Sequence, residues 1–406
     1  SSSTSSPSSS PPVARATSDA HILTAIRPSW CSVPHGARPY DARVSNRRRL
    51  VVLFGGRSAE HDVSCVSARH VLAAADPDRY EIIPVGIDRD GRWALAEAAA
   101  EALVNGALPD HLDPTGTAWD PLPRLAELAT RSDASDVVVF PLVHGPLGED
   151  GTLQGLLELA DVPYVGSGVL GSALAMDKLA AKDMLTHHGI PQARHRAVHI
   201  DRLADPGSDG YQAMVADLLA DLGPTVFVKP ANMGSSVGVS RATDETSLEA
   251  ALTAAARYDE WLVVEEAIDG REIEFAVLGD RNPQVSGPGE IRPGAEFYSY
   301  ADKYESGAAE LVIEPDLSPE VIVGLQEMAA RAYLALRCSG MARVDFFLAD
   351  DGRMLCNEVN TIPGFTPISM YPRLWQAAGL TYPALIDRLV DLAVTRHTRR
   401  RRSTAR

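Results

Sequence analysis

The chain has 406 residues, 45% of them hydrophobic, too much for one compact core of usual size and enough for two or three packed units. Its formal net charge of -16 excludes a surface built throughout to bind nucleic acid, because such surfaces cluster Lys and Arg against phosphates. Cys31, Cys65, Cys338 and Cys356 form no C-x-x-C pair, and no apolar run approaches the roughly 18 residues that span a bilayer, so a protein of the reducing cytoplasm without membrane insertion is expected.

Residues 1–48 are rich in Ser, Pro, Ala and Arg, lack apolar periodicity, and read as a disordered extension. From Arg49 the texture changes. Leu50–Phe54 is an apolar run ending at Gly55-Gly56, followed by helical spacing through Val63, Val66, Val71 and Leu72, which reads as strand, glycine turn and helix. A second such unit follows in Asp136–Phe140, the loop Pro141–Gly151 and a helix from about Thr152, with Val162–Val165 read as a further strand. This alternation predicts a parallel sheet with helices on its faces over 49–167.

Beyond Gly168 the pattern is mixed α+β, with strands at Thr225–Lys229, Trp261–Glu266 and Glu272–Leu278 and a helix over Ser247–Arg257. A helix through Val321–Leu336, strands around Asp345 and Glu358, and closing helices through Leu374 and Leu385 make a last block. Three domains are therefore expected, at 49–167, 168–268 and 269–396, with a basic tail at 397–406 that reads as solvated. Segment 294–309 carries Tyr298, Tyr300, Lys303 and Tyr304 between strand-like stretches and reads as a lid, a plain solvent loop being the alternative.

The sharpest site argument lies in Met341–Leu348 and Met354–Asn360, joined at Asp351-Gly352, a dipeptide suited to a tight type I′ turn. A turn centred between those residues places Asp345 opposite Glu358 and Arg343 opposite Asn360 on one face. Two facing carboxylates repel unless a cation lies between them, and Asp, Glu and Asn oxygens suit Mg²⁺. Arg343 beside them could neutralise a phosphoryl group or an oxyanion. The alternative is a surface hairpin whose charges face solvent.

Other signals are weaker singly. Lys229 ends a strand and enters the small-residue loop Pro230–Gly238, which lets backbone N–H groups approach an anion, although an ordinary turn explains it equally and neither a P-loop nor a Rossmann fingerprint is present. Glu60 and His61 follow Gly55-Gly56 where ligand loops gather, yet acids also favour helix N-termini. His144 lies on another such loop, where a lone His is usually structural, and Glu149 and Asp150 could be helix caps.

Together, Gly55-Gly56-Arg57-Ser58-Ala59-Glu60-His61, His144-Gly145 with Gly148-Glu149-Asp150-Gly151, Met176-Asp177-Lys178, Lys229-Pro230 with Gly234-Ser235-Ser236-Val237-Gly238, and Glu358-Val359-Asn360-Thr361-Ile362-Pro363-Gly364 resemble the D-alanine:D-alanine ligase family of ATP-grasp enzymes, from about Arg49 to Thr395. The resemblance implies an α/β and α+β three-domain ATP-grasp fold and ligation of two D-alanines through a D-alanyl phosphate, for peptidoglycan synthesis. It implies that Lys178 and Lys229 grip ATP phosphates, that Glu265, Ile268 and Glu272 contact adenine and ribose, and that Lys303 reaches the γ-phosphate. Asp345, Glu358 and Asn360 match ligands to Mg²⁺ or Mn²⁺, two ions per site.

On the substrate side the resemblance implies that Glu60 holds the first D-alanine ammonium, with Ser235 and Tyr304 in a hydrogen-bonded set that closes the lid. Arg343 and the Gly364 N–H match oxyanion-stabilising groups, Ser369 and Met370 fall where the second carboxylate is held, and His144 is expected to orient the first substrate. A homodimer is implied as well. Glu266 departs from the family, some members having Lys there. The Lys303-Tyr304 pair favours an amine acceptor over D-lactate; ligation to D-lactate or D-serine, or a nucleotide-binding protein without catalysis, are the alternatives.

Overall fold

The computed structural model describes residues 47–130, 136–294 and 309–400, all within one compact unit, Asn46–Arg406. The expected lid, with Tyr298, Tyr300, Lys303 and Tyr304, lies outside the described residues except at its ends, as do nearly all of the extension and the end of the basic tail.

The first part runs β1 (Arg48–Gly55), α1 (His61–Ala74), β2 (Tyr80–Ile87), β3 (Trp93–Leu95), α2 (Glu97–Val104), β4 (Thr117–Ala118), α3 (Pro121–Thr130), β5 (Val137–Pro141), α4 (Thr152–Leu159), α5 (Val169–Met176) and α6 (Lys178–His187). Its sheet has the order β4-β3-β2-β1-β5. Only β2, β1 and β5 are parallel; β3 and β4 add antiparallel edges, so the expected parallel sheet is mixed. Leu50–Phe54 is wholly buried, as a central strand covered on both faces requires. Val162–Val165 forms no strand: Tyr164 makes a single bridge to Val139, and the preceding Pro163 has no N–H to extend a ladder. Arg48, assigned above to the extension, already pairs with Tyr80.

The second sheet comes from β6 (His195–His199), β7 (Val226–Pro230), β8 (Ser240–Ala242) and β9 (Trp261–Glu266), ordered β6-β9-β7-β8 and packed under α7 (Asp209–Leu222) and α8 (Glu245–Ala255). The third contains β10 (Gly270–Gly279), β11 (Gln284–Arg292), β12 (Glu310–Ile313), β13 (Gly340–Ala349) and β14 (Met354–Asn360), ordered β12-β11-β10-β13-β14 and antiparallel throughout. One face packs on α9 (Pro319–Ala335), through Phe275, Val344, Phe346 and Tyr333. The closing helices α10 (Met370–Ala377) and α11 (Tyr382–Arg400) share one apolar core with both the first and third sheets, and Phe140 meets Phe365 at 5.5 Å between centroids. The acidic face of the third sheet is thereby held against the loops of the first.

Candidate active site

The hairpin β13–β14 delivers the predicted pairs, Asp345 opposite Glu358 and Arg343 opposite Asn360, by a route the turn rule did not foresee. Ala349 N–H donates to Arg353 O at 2.9 Å and Gly352 has φ 86°, so the connection is a three-residue loop centred on Asp351. Near that loop Phe346 faces Cys356 and Leu348 faces Met354; a bulge at Asn357 then restores the expected register. Across the neighbouring strand Glu274 faces Asp345, giving a row of three carboxylates on β10, β13 and β14.

Arg343 offsets this charge. Its guanidinium donates to both oxygens of Asp345 at 2.7 Å and lies 3.2 Å from Glu274. Burial opposes its charge, but Asp345 and Glu274 raise its pKa further above the normal arginine value. Asn360 Nδ2 donates to Asp345 at 2.9 Å and lies 3.4 Å from Glu358. Among the described residues no group of three His, Cys, Asp or Glu side chains is spaced to hold a metal ion. The two carboxylates with the Asn360 amide fit a hard divalent cation as oxygen donors, because turning the amide over presents its oxygen where its N–H now bridges the acids.

A second cluster is cationic. Lys182 Nζ meets Glu265 Oε1 at 2.9 Å and Lys229 Nζ meets Oε2 at 2.6 Å, with the Lys182 and Glu265 side chains only 3% and 4% exposed. Burial pushes the Glu265 pKa up, but the two lysines outweigh it and hold the carboxyl below its usual range. Lys178 begins α6 behind its N-cap Asp177, which accepts from Ala180 N–H, and its own N–H donates to Ala231 O at 2.9 Å beside the Gly-Ser loop. In that loop Ser235 and Ser236 adopt successive positive φ values of 49° and 58°, an unusual backbone for residues bearing Cβ and one that turns successive N–H groups to the same side.

Glu60 precedes α1 after a glycine turn; a Cβ on Gly55 would stand 2.2 Å from Ile87 O, so only glycine fits there. Its carboxylate accepts from Ser235 Oγ, joining the first sheet's loop to the Gly-Ser loop. Beside it, buried His144 bonds the Ile362 carbonyl through Nδ1 at 2.9 Å, and burial lowers its pKa. Both ring nitrogens have protein partners, since Nε2 is 3.4 Å from Ser67 Oγ.

Two adjoining cavities collect these groups. One of about 640 Å³ is lined by Glu60, His144, Arg343, Asn360, Gly364, Ser369 and Met370. The other, about 430 Å³, is lined by Lys229, Glu265, Ile268, Glu272 and Asp345; Lys178, Ser235, Arg343 and Glu358 border both. Every predicted site residue among those described thus lines one or both, while Lys303 and Tyr304 lie outside the described residues. The Met370 side chain is buried against Gly289, which leaves only its backbone for a ligand. The sequence reading passed over Lys182, one helical turn after Lys178, together with Glu274 and Asn357, all of which line this space. Glu266, the expected departure near adenine, is paired with Arg194 at 2.9 Å.

Residues 49–167 match the family described as D-ala D-ala ligase N-terminus, and residues 184–391 match D-ala D-ala ligase C-terminus. The D-alanine–D-alanine ligase of Sodalis glossinidius is 46% identical over 362 residues, covering 87% of this chain and 97% of the relative. That of Halothermothrix orenii is 44% identical over 351 residues, covering 86% and 99%. Among solved structures, the D-alanine-D-alanine ligase of Coxiella burnetii superposes with a TM-score of 0.69 at 35% identity, covering 87% of this chain and 97% of that one. The VanG D-Ala:D-Ser ligase of Enterococcus faecalis gives 0.71 at 33% identity, covering 86% and 99%.

Proposed function

The chain belongs to the D-alanine–D-alanine ligase family, and we propose how its own residues divide the work of that reaction. It has the ATP-grasp fold and joins two D-alanines in peptidoglycan synthesis, converting ATP to ADP and phosphate. The first carboxylate takes the γ-phosphoryl group, and the second amine then displaces phosphate from the acyl carbon. The observation that carries the assignment of roles is that the acidic hairpin with Arg343 borders both cavities, one lined by Lys229 and Glu265 and the other by Glu60.

The smaller cavity takes the nucleotide, with Lys229 and Lys178 toward the phosphates and Ile268 and Glu272 toward base and ribose. Both oxygens of Glu265 are held by Lys182 and Lys229, so that carboxylate sets the lysine positions as well as bordering the base. Asp345, Glu358 and Asn360 would hold Mg²⁺ or Mn²⁺, two ions per site, which would supply positive charge against the phosphates. In the larger cavity Glu60 receives the first ammonium, Arg343 and the Gly364 N–H face the oxyanion, and Ser369 with the Met370 backbone takes the second carboxylate. Lys303 and Tyr304, outside the described residues, are assigned by the family resemblance alone to the γ-phosphate and to the set that includes Glu60 and Ser235.

We also read the three sheets as three lobes with the boundaries given above, and the chain as a cytoplasmic homodimer. Buried, unpaired Cys65, Cys338 and Cys356 support a reducing compartment, and no described helix is long and apolar enough to cross a membrane. The test is ADP and phosphate release by purified protein with Mg-ATP and D-alanine, D-serine or D-lactate, with mass detection of products. D-alanine-dependent release with a matching dipeptide is expected; preferential D-alanyl-D-serine or D-alanyl-D-lactate formation would overturn the acceptor assignment.

A further inference from the structure

Two groups of one loop grip a single residue of another. The loop between β5 and α4 carries His144 and Glu149, and both bond to Ile362, two residues before Gly364. Ile362 N–H donates to Glu149 Oε1 at 2.9 Å, while Ile362 C=O accepts from His144 Nδ1 at 2.9 Å. The other Glu149 oxygen accepts from Gly145 N–H at 2.7 Å, so the carboxylate also ties down its own loop. A carbonyl only accepts, which places the imidazole hydrogen on Nδ1 and leaves Nε2 to accept from Ser67 Oγ. Pro363 follows with its φ fixed by its ring, which leaves few torsions free between the gripped peptide and Gly364.

We infer that Glu149, acting with His144, is a positioning residue that fixes the backbone of Ile362 and through it aims the Gly364 N–H at the oxyanion. The inference rests on the oxyanion role proposed for Gly364. The two loops meet at a single carboxyl, buried near Glu60. Burial and Glu60 push its pKa up to about 8 in spite of the N–H groups of Gly145 and Ile362 and the nearby Arg343. Each of its oxygens receives one N–H, one from each loop, and keeps a lone pair for it in either protonation state, whereas a glutamine would turn its amide nitrogen, which cannot accept, toward one of them.

The test is Glu149→Gln in the full chain, measuring dipeptide formation and ADP release at saturating ATP. Misplacing an oxyanion donor is expected to lower kcat for dipeptide by about 10- to 100-fold while the KM for ATP stays within about twofold. ADP released per dipeptide should rise as the acyl phosphate is lost to water. An unchanged kcat overturns the inference, as does a fall in kcat accompanied by an equal loss of ATP binding and an unchanged ADP-to-dipeptide ratio. Amide hydrogen exchange at Ile362 in the unaltered chain reads the grip without turnover or a variant. Slow exchange is expected, and exchange at the rate of an open loop overturns the grip independently of whether the chain ligates D-alanine.

Discussion

Replacing Lys182 and Glu265 singly and together tests whether the buried lysine–glutamate–lysine cluster acts as one unit. At the 2.9 Å separation of Lys182 and Glu265, an effective dielectric of about 20 gives ~6 kcal/mol of gross attraction, most of it offset by desolvation of the two ions. Lys182→Met removes the attraction and the ammonium's desolvation together, and Glu265 keeps Lys229, so a net loss of only about 1–3 kcal/mol is expected. Glu265→Gln strands two buried ammonium groups and should cost about 3–5 kcal/mol. In the double variant one stranded ammonium is gone, so it should be no less stable than Glu265→Gln alone. Urea unfolding of the four chains gives the coupling directly. Losses that add to within about 0.5 kcal/mol would refute a coupled cluster.

Other expectations follow from the same geometry. Glu60→Gln should raise the KM for the first D-alanine by about 10- to 100-fold, the loss of a charge-assisted bond, with ATP binding unchanged by calorimetry. Asp345→Asn should weaken the apparent Mg²⁺ affinity in a metal titration of ATP turnover by at least about tenfold. Gly171→Ala gains about 1 kcal/mol of helix propensity, but its Cβ would stand 2.5 Å from Arg337 O; overpacking against backbone should win and lower the thermal midpoint. Burial and Glu60 push the Glu149 pKa from the usual carboxylate range up to about 8 in the fold, so its contribution is complete below that usual range and is lost as pH rises through about 8. The stability advantage of the unaltered chain over Glu149→Gln should therefore shrink from pH 5 to 9 in thermal melts, a difference in which His144, present in both, largely cancels. Parallel curves would count against the raised value.

Much of the site was legible because its residues recur at spacings tied to strand and turn geometry. The facing of Asp345 and Glu358 was read correctly although the turn was read wrongly: the loop is one residue longer than a two-residue hairpin, and the bulge at Asn357 offsets it. Neither leaves a mark, since Asn357 resembles any polar strand residue. Lys182 was missed because a lysine one turn along a helix looks like a solvent-facing partner of Lys178, and only tertiary packing buries it. Glu274 alternates with Glu272 as an outward polar face would, and here that face is the cavity wall. Strand β11 was only dimly visible, since Gly287, Pro288 and Gly289 argue against a strand; the narrow side chains instead admit Met370.

The bulge also divides β14 into two halves of opposite parity. Before Asn357 the residues turned to the α9 core are even-numbered, Met354 and Cys356; after it the core residue is Val359, while Glu358 and Asn360 turn to the cavity. In an exchange with a relative, what happens to the extra residue therefore decides which face the second half of the strand presents. A recombinant that loses it while keeping the same turn would pull Glu358 back one place, to stand opposite Asp345 in an unbroken ladder. One that instead straightens the strand by moving the turn would drive Glu358 and Asn360 into the apolar layer and Val359 into the active site. Recombination with a ligase that lacks the bulge should therefore depend on where the crossover falls in this strand more than on overall identity.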